Sequence, residues 1–198
     1  SSQVEREFQK VDVGTSSQFG DYSVYVNTST RVKLICKEFV HNSIDTARSQ
    51  TVELDRLLTL QHVHLVNVVD YSVSCARPQL TLPLTVRVFY DAPVQNLQSY
   101  LSQQKLRYNT SKLPSDTLTH LMYQMLELNA WFQTRGIYHG NISPSTIMLD
   151  VQGRFKLLYR DSQVPERIQL EKLLRRESIY ISPHLYHSFT SKNFNMIR

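Results

Sequence analysis

Two stretches of this 198-residue chain carry side chains of the kinds that do chemistry. In the first, Lys37 closes the apolar run Leu34, Ile35, Cys36, and Glu53 stands on the segment that follows. A lysine steadied by a carboxylate is a contact for phosphate groups. The second runs from His139 through Asn141, Ser143 and Thr146. Its amide has no useful basicity near neutral pH and supplies no negative charge. Other chemistries find less. His62 and His64 have no third ligand nearby, so a role at the entry to a strand is expected for them rather than metal binding. Cys36 and Cys75 make neither a disulfide framework nor the usual four-ligand zinc site, and both are expected to be free thiols. The scattered Ser, His and Asp residues contain no G-x-S-x-G elbow, which leaves a hydrolase without support. Asn27, Asn109 and Asn141 begin N-x-S triplets that carry no weight without a secretory route.

The elements that must position these residues follow from periodicity. Residues 9 to 40 read as a meander of short strands, with Tyr22, Val24 and Tyr25 after Gly20 and Val32, Leu34, Ile35 and Phe39 around Lys37. Residues 43 to 61 change to a helical period through Ala47, Leu54, Leu57 and Leu58. His62 to Ser74 and Leu80 to Tyr90 return to strand character. A helix is expected from Ser115 as N-cap, with Asp116 in its first turn and a buried stripe of Leu118, Leu121, Met122, Met125, Leu128 and Phe132, ending before Gly136. Ile147 to Leu149 and Phe155 to Leu158 form a predicted hairpin around Asp150 to Gly153. Val164 to Arg176 is again helix-like.

Hydrophobic residues at 41% and charged residues at 20%, with five Gly and seven Pro, describe a folded chain and exclude collagen-like or disordered classes. No apolar run reaches membrane-spanning length. The opening residues, Ser1 to Glu5, lack the basic and apolar regions of a signal peptide, and a cytoplasmic protein is expected. The formal charge of +5 is spread along the chain except at Arg167, Lys172, Arg175 and Arg176, which read as a solvated helix face. No aromatic residues alternate with them, so specific nucleic-acid binding is not expected.

The order of elements and the spacing of their motifs resemble the eukaryotic protein kinase family. Gly14 and Gly20 flank a loop that stands where the glycine-rich loop stands, with Gly20 seventeen positions before Lys37. Leu34 to Lys37 resembles the V-A-I-K strand, and Leu57 to Val66 the junction of helix C and the next strand. His139 to Leu149 is similar to the catalytic loop H-R-D-L-K-P-x-N-I-L-L. Tyr159, Arg160 and Asp161 occupy the place of D-F-G, and Ser182, Pro183 and His184 that of A-P-E. The resemblance spans roughly residues 8 to 185. It implies an α+β, bilobal fold: a flank over 1–8, a β-rich N-lobe with helix C and hinge over 9–92, and a truncated or atypical helical C-lobe over 93–198.

The departures from the family pattern imply loss of catalysis. The proton-accepting aspartate is Asn141, the loop lysine Ser143, the metal-binding asparagine Thr146 and the D-F-G aspartate Tyr159, so His139, Asn141, Ser143, Thr146 and Tyr159 mark degenerate catalytic positions. Neither a magnesium site nor any cofactor is expected. Gly14, Gly20, Lys37 and Glu53, with Glu53 as the expected partner of Lys37, remain as a vestigial nucleotide site, crowded by Ile35 where kinases carry alanine over the adenine. The expectation is a catalytically inactive kinase-like domain serving as a protein-interaction, scaffold or allosteric module in a larger protein or complex. Protein partners, or further parts of the parent chain, would cover the C-lobe. The alternative is a metal-independent nucleotide sensor without phosphotransfer activity.

Overall fold

Alternating β-branched or aromatic and polar residues build the first ninety positions into an antiparallel sheet, with one helix inserted where the period changes. The computed structural model describes residues 2–16, 20–75, 81–91, 95–137, 139, 142–150 and 152–158. All belong to the first of two compact units, Ser1–Tyr159 and Arg160–Arg198. Asn141, Tyr159, Arg160, Asp161, the helix expected over 164–176 and the residues likened to A-P-E lie outside the described residues.

The order is α1 (Gln3–Glu7), β1 (Gln9–Ser16), β2 (Gly20–Val26), β3 (Lys33–His41), α2 (Ile44–Thr59), β4 (Val68–Cys75), β5 (Leu84–Tyr90), β6 (Gln95–Asn96), α3 (Leu97–Tyr108), α4 (Ser115–Gln133), β7 (Ile147–Leu149) and β8 (Phe155–Leu157). The class is α+β. A five-stranded antiparallel sheet has the order β1-β2-β3-β5-β4, and a three-stranded sheet the order β6-β7-β8. The two edge strands of the larger sheet each carry a register shift, at Val11 between Lys10 and Asp12 and at Val69 between Val68 and Asp70. Such irregularities at edges discourage pairing with another chain.

Strand β3 is central, and Leu34, Ile35 and Cys36 are buried on both of its faces. Its inner face carries Ile35, Lys37, Phe39 and His41; its outer face carries Leu34, Cys36 and Glu38. Helix α2 lays Ala47, Gln50 and Leu54 on the inner face, where Leu54 joins Val68, Val86 and Val88, and His41 Nε2 lies 2.6 Å from Gln50 Oε1. Residues 2–8, within the flank read from sequence, include α1 and pack on the outer face. Ser2 closes a capping box with Glu5, and Val4 is buried among Leu34, Cys36 and Phe89.

Helix α3 starts at Asn96, whose Oδ1 accepts from Ser99 N at 2.7 Å, and stops at Asn109 in the left-handed region (φ 53°). Helix α4 corrects two expectations. Ser115 is its first helical residue, Pro114 takes the N-cap place, and no side chain caps it. The buried stripe is Leu121, Gln124, Leu128 and Phe132 with Met125 against it, whereas Leu118 and Met122 are exposed. Gln124 is buried because its Oε1 takes the amide of Phe155 at 3.0 Å, tying α4 to β8. Among the described residues no helix is long and apolar enough to cross a membrane.

The two sheets meet through the segment between α2 and β4. Val66 N donates to Leu157 O at 2.9 Å, and Leu157 N to His64 O at 2.8 Å, a short parallel bridge. Beside it, the Asp91 carboxylate accepts from Asn67 N (2.6 Å), Asn67 Nδ2 (3.0 Å) and Lys156 Nζ (2.7 Å). The Lys156 side chain is 9% exposed and that of Asp91 31%. Removing one member of such a pair leaves a desolvated charge, while removing both does not. Lys156→Met is therefore expected to destabilise the fold by about 3 kcal/mol, at the low end for buried pairs because Asp91 keeps some access to water. The double variant Lys156→Met with Asp91→Leu should recover most of that loss. Urea unfolding decides it: equal losses in the single and double variants would show that the pair is not what matters here.

Candidate functional site

The inner face of the five-stranded sheet approaches β7 through an apolar cluster around Ile35. Ile35 (3% exposed) and Met148 (0%) lie in a single cluster with Val66, and Tyr22, Val24, Tyr90 and Leu158 pack against it. Cross-strand register explains the grouping, since Val24 and Tyr90 both pair with Ile35. Met148 reaches the cluster from β7, which pairs with β6 at Asn96.

The hairpin above it depends on two glycines. Gly20 opens β2 with φ 64°, a backbone state that suits glycine. Gly14 faces Tyr22 across the pair, and a Cβ on Gly14 would stand 2.5 Å from the Tyr22 hydroxyl oxygen. The tyrosine ring thus occupies the space over the strand that the missing side chain leaves.

Lys37 and Glu53 are not brought together as an ion pair. The Lys37 ammonium sits 4.9 Å from the centre of the Phe39 ring, two residues along the same face. Glu53 instead takes both a 2.6 Å and a 3.1 Å bond from the Arg56 guanidinium one turn on. The reason is local. An Arg three residues away on a helix is always within reach, whereas a partner on another element must be delivered by packing.

His139 is buried. Its Nε2 lies 2.8 Å from Leu158 O, and its ring stacks on Phe132 at 5.9 Å between centres. Ser143 is buried too, with its Oγ 2.7 Å from Ser145 Oγ. Its backbone amide donates to Thr146 Oγ1 (3.0 Å), and that hydroxyl donates to Ser143 O (3.1 Å). The loop is fastened to the start of α3 by Asn96 Nδ2 on Ser145 O and Gln98 N on Pro144 O. The Ser143 and Thr146 side chains thus brace their own turn.

The carboxylates nearby are also engaged. Asp91 holds Lys156 and Asn67, and Asp150 accepts from the Arg154 side chain at 2.7 Å and from the amides of Gln152 and Arg154. Burial works to raise the Asp150 pKa, but these bonds outweigh it and hold the carboxyl below its ordinary value. Among the described residues no group of three or more His, Cys, Asp or Glu is placed to hold a metal ion.

His62 and His64 have structural surroundings. His62 Nδ1 accepts the His64 amide at 3.1 Å, and its ring lies 5.0 Å from Trp131, which in turn carries the Arg135 guanidinium at 4.1 Å. Burial first, then the neighbouring His64, lowers the His62 pKa. His64 Nδ1 meets Phe155 O at 3.2 Å. Burial, with Glu38 adding to it, pushes the Cys36 thiol up to about 12.

Sequence reasoning missed Asp91, Asn67 and Lys156. The available signal was a lysine interrupting the apolar strand Phe155 to Leu158. The observed partners lead to a double-mutant cycle of Lys37→Ala and Glu53→Ala, in which the two changes should add to within about 0.5 kcal/mol, as unconnected sites do. A coupling of about 1 kcal/mol or more in urea unfolding would instead place the two side chains in contact. No protein-family model and no curated protein sequence matches the chain.

Proposed function

We propose that this chain is a catalytically inactive protein kinase-like domain that acts as a protein-interaction, scaffold or allosteric module within a larger protein or complex. The observation that carries the reading is the Ile35 cluster. Taken with the resemblance, Ile35 stands where kinases carry alanine over the adenine ring, and here it lies in a cluster with Val66 and Met148 against which Val24, Tyr90 and Leu158 pack. A purine entering there must separate apolar groups already out of water, at roughly 25 cal/mol for each Å² re-exposed.

Three further points support it. Asn141 and Tyr159 have replaced the carboxylates that phosphoryl transfer needs. Ser143 and Thr146 are committed to their own turn. Helix α4 is apolar beyond its buried face, for Leu118, Met122, Tyr123 and Leu126 are exposed while Leu121 and Leu128 are buried. Exposed apolar stripes of this kind are contact surfaces for protein.

The second reading, a metal-independent nucleotide sensor, is favoured by Lys37 alone, a half-buried cation on the inner face with an aromatic ring as its neighbour. Thermal unfolding of the whole chain with ATP, ADP and AMP, each with and without magnesium or manganese, separates the two. The scaffold reading expects no shift. A nucleotide at a hundred times its dissociation constant adds about 2.7 kcal/mol, a readily visible change. A metal-independent shift that Lys37→Ala abolishes would replace the scaffold with the sensor, and a metal-dependent shift with phosphoryl transfer would overturn both.

A further inference from the structure

The outer face of the five-stranded sheet lies on the side of β3 opposite the Ile35 cluster, and residues 2–8 rest on it with a definite chemical pattern. Val4 fills an apolar seat made by Leu34, Cys36 and Phe89, and Phe8 packs beside it with Tyr25. Tyr25 and Phe89 meet edge to face at 5.1 Å between centres. Between the two apolar anchors, Glu5 Oε1 accepts from the Ser72 hydroxyl (2.7 Å) and from Arg87 Nη1 (3.3 Å). The Val4 amide donates to Asp70 Oδ2 at 3.1 Å. Burial works to raise the Glu5 pKa, yet Ser72, the Ser2 amide and Arg87 bring it below the ordinary value, so these partners favour the ionised acid.

The sheet's side of this contact is set without the segment. Arg87 is held by Glu38 at 2.8 Å, and Asp70 by the amide of Tyr71 at 2.8 Å. Receptor groups already in place lower the ordering cost of binding. The segment's side is not self-supporting. Helix α1 has five residues, far short of the length at which a helix is stable alone, so its shape depends on the seat. A hollow of ≈ 500 Å³ continues from the seat along the same face, lined by Cys36, Glu38, Ser23, Val13, Thr15 and Asp21. Register confirms the face, since Ser23 pairs with both Cys36 and Val13.

We propose that the outer face is a docking groove for a short helical peptide bearing an apolar residue, a carboxylate directly after it and a second apolar residue one turn on, and that residues 2–8 occupy it in cis. A protein segment with that pattern competes for the seat, and its flanking residues enter the adjoining hollow. The proposal is independent of any nucleotide at the inner face.

Cys36 supplies the readout, because Val4 packs against it. The test uses the full chain with Cys75→Ser, so that Cys36 is the one thiol, and follows its alkylation by iodoacetamide. Val4→Asp should release the segment and raise the labelling rate by about tenfold or more, as local opening does, while circular dichroism and a cooperative urea transition show that the fold is kept. A synthetic peptide copying residues 2–9 with both ends blocked should then slow labelling again as its concentration rises toward about 1 mM, the range set by the cis linkage. A peptide of the same composition with Val, Glu and Phe permuted should not. Glu5→Arg, which sets like charges against Arg87, is the second variant should Val4→Asp prevent folding, and it should show the same release and rescue. Labelling unchanged in a folded release variant, no protection by the copied peptide, or equal protection by the permuted one would each overturn the proposal.

Discussion

Asp91 sits where the chain leaves the five-stranded sheet, and its carboxylate collects three donors from two other places in the sequence. Asn67 brings the segment that follows α2, and Lys156 brings the hairpin of β7 and β8. A carboxylate with only part of its surface left to bulk water gains from such donors, and a lysine as buried as Lys156 demands such an acceptor. Each therefore fixes the other's location, and with them the relation of the two sheets. The backbone bridge between Val66, His64 and Leu157 and the apolar cluster of Ile35, Val66, Met148 and Leu158 follow from that placement. The polar junction sets direction, and the apolar cluster beside it supplies burial.

The two faces of the larger sheet have been put to different uses by the same strand. On β3 the inward residues Ile35 and Phe39 join clusters completed by α2 and β7, while Leu34 and Cys36 look outward to α1. A central strand buried on both faces loses the strict alternation that marks a half-exposed one, which explains why Leu34, Ile35 and Cys36 form an unbroken apolar run. Lys37 ends that run at the point where the inner face opens. Its ammonium rests on Phe39, and Glu53 turns to Arg56, so the two charges that look like partners in sequence are each satisfied close to home.

Much of the fold was legible. The meander over 9–40, the helix over 43–61 and the hairpin around Asp150 to Gly153 correspond to β1 to β3, α2, and β7 with β8, because each has a clear period or a strong turn signal. What escaped had no such signal. Helix α3 is mostly exposed, with Leu97 its one buried residue, so no apolar stripe announces it. Strand β6 is two residues long. Helix α1 is a single turn whose capping box, Ser2 with Glu5, reads in sequence as an ordinary polar flank. In α4 the apolar residues cover more than one side, and periodicity alone gave no way to tell that Gln124 lies inside while Leu118 and Met122 lie outside. Of the residues singled out in sequence, Gly14 and Gly20 fall on β1 and β2 and Lys37 on β3, within the expected meander, but what each of them touches was not legible.

The amino-acid sequence by itself determined the local geometry: which stretches extend or coil, where left-handed glycines end them, and which residue types are absent from the loop around Ser143. These properties follow from steric and hydrogen-bonding preferences within a few residues of each position. The tertiary structure alone decided the long-range pairings: Lys156 with Asp91, Glu5 with Arg87, and Gln124 with the amide of Phe155. A charge or a buried amide takes whichever complement lies within about 3 Å. Many complements exist along the chain, and only the packing of distant elements fixes which one arrives.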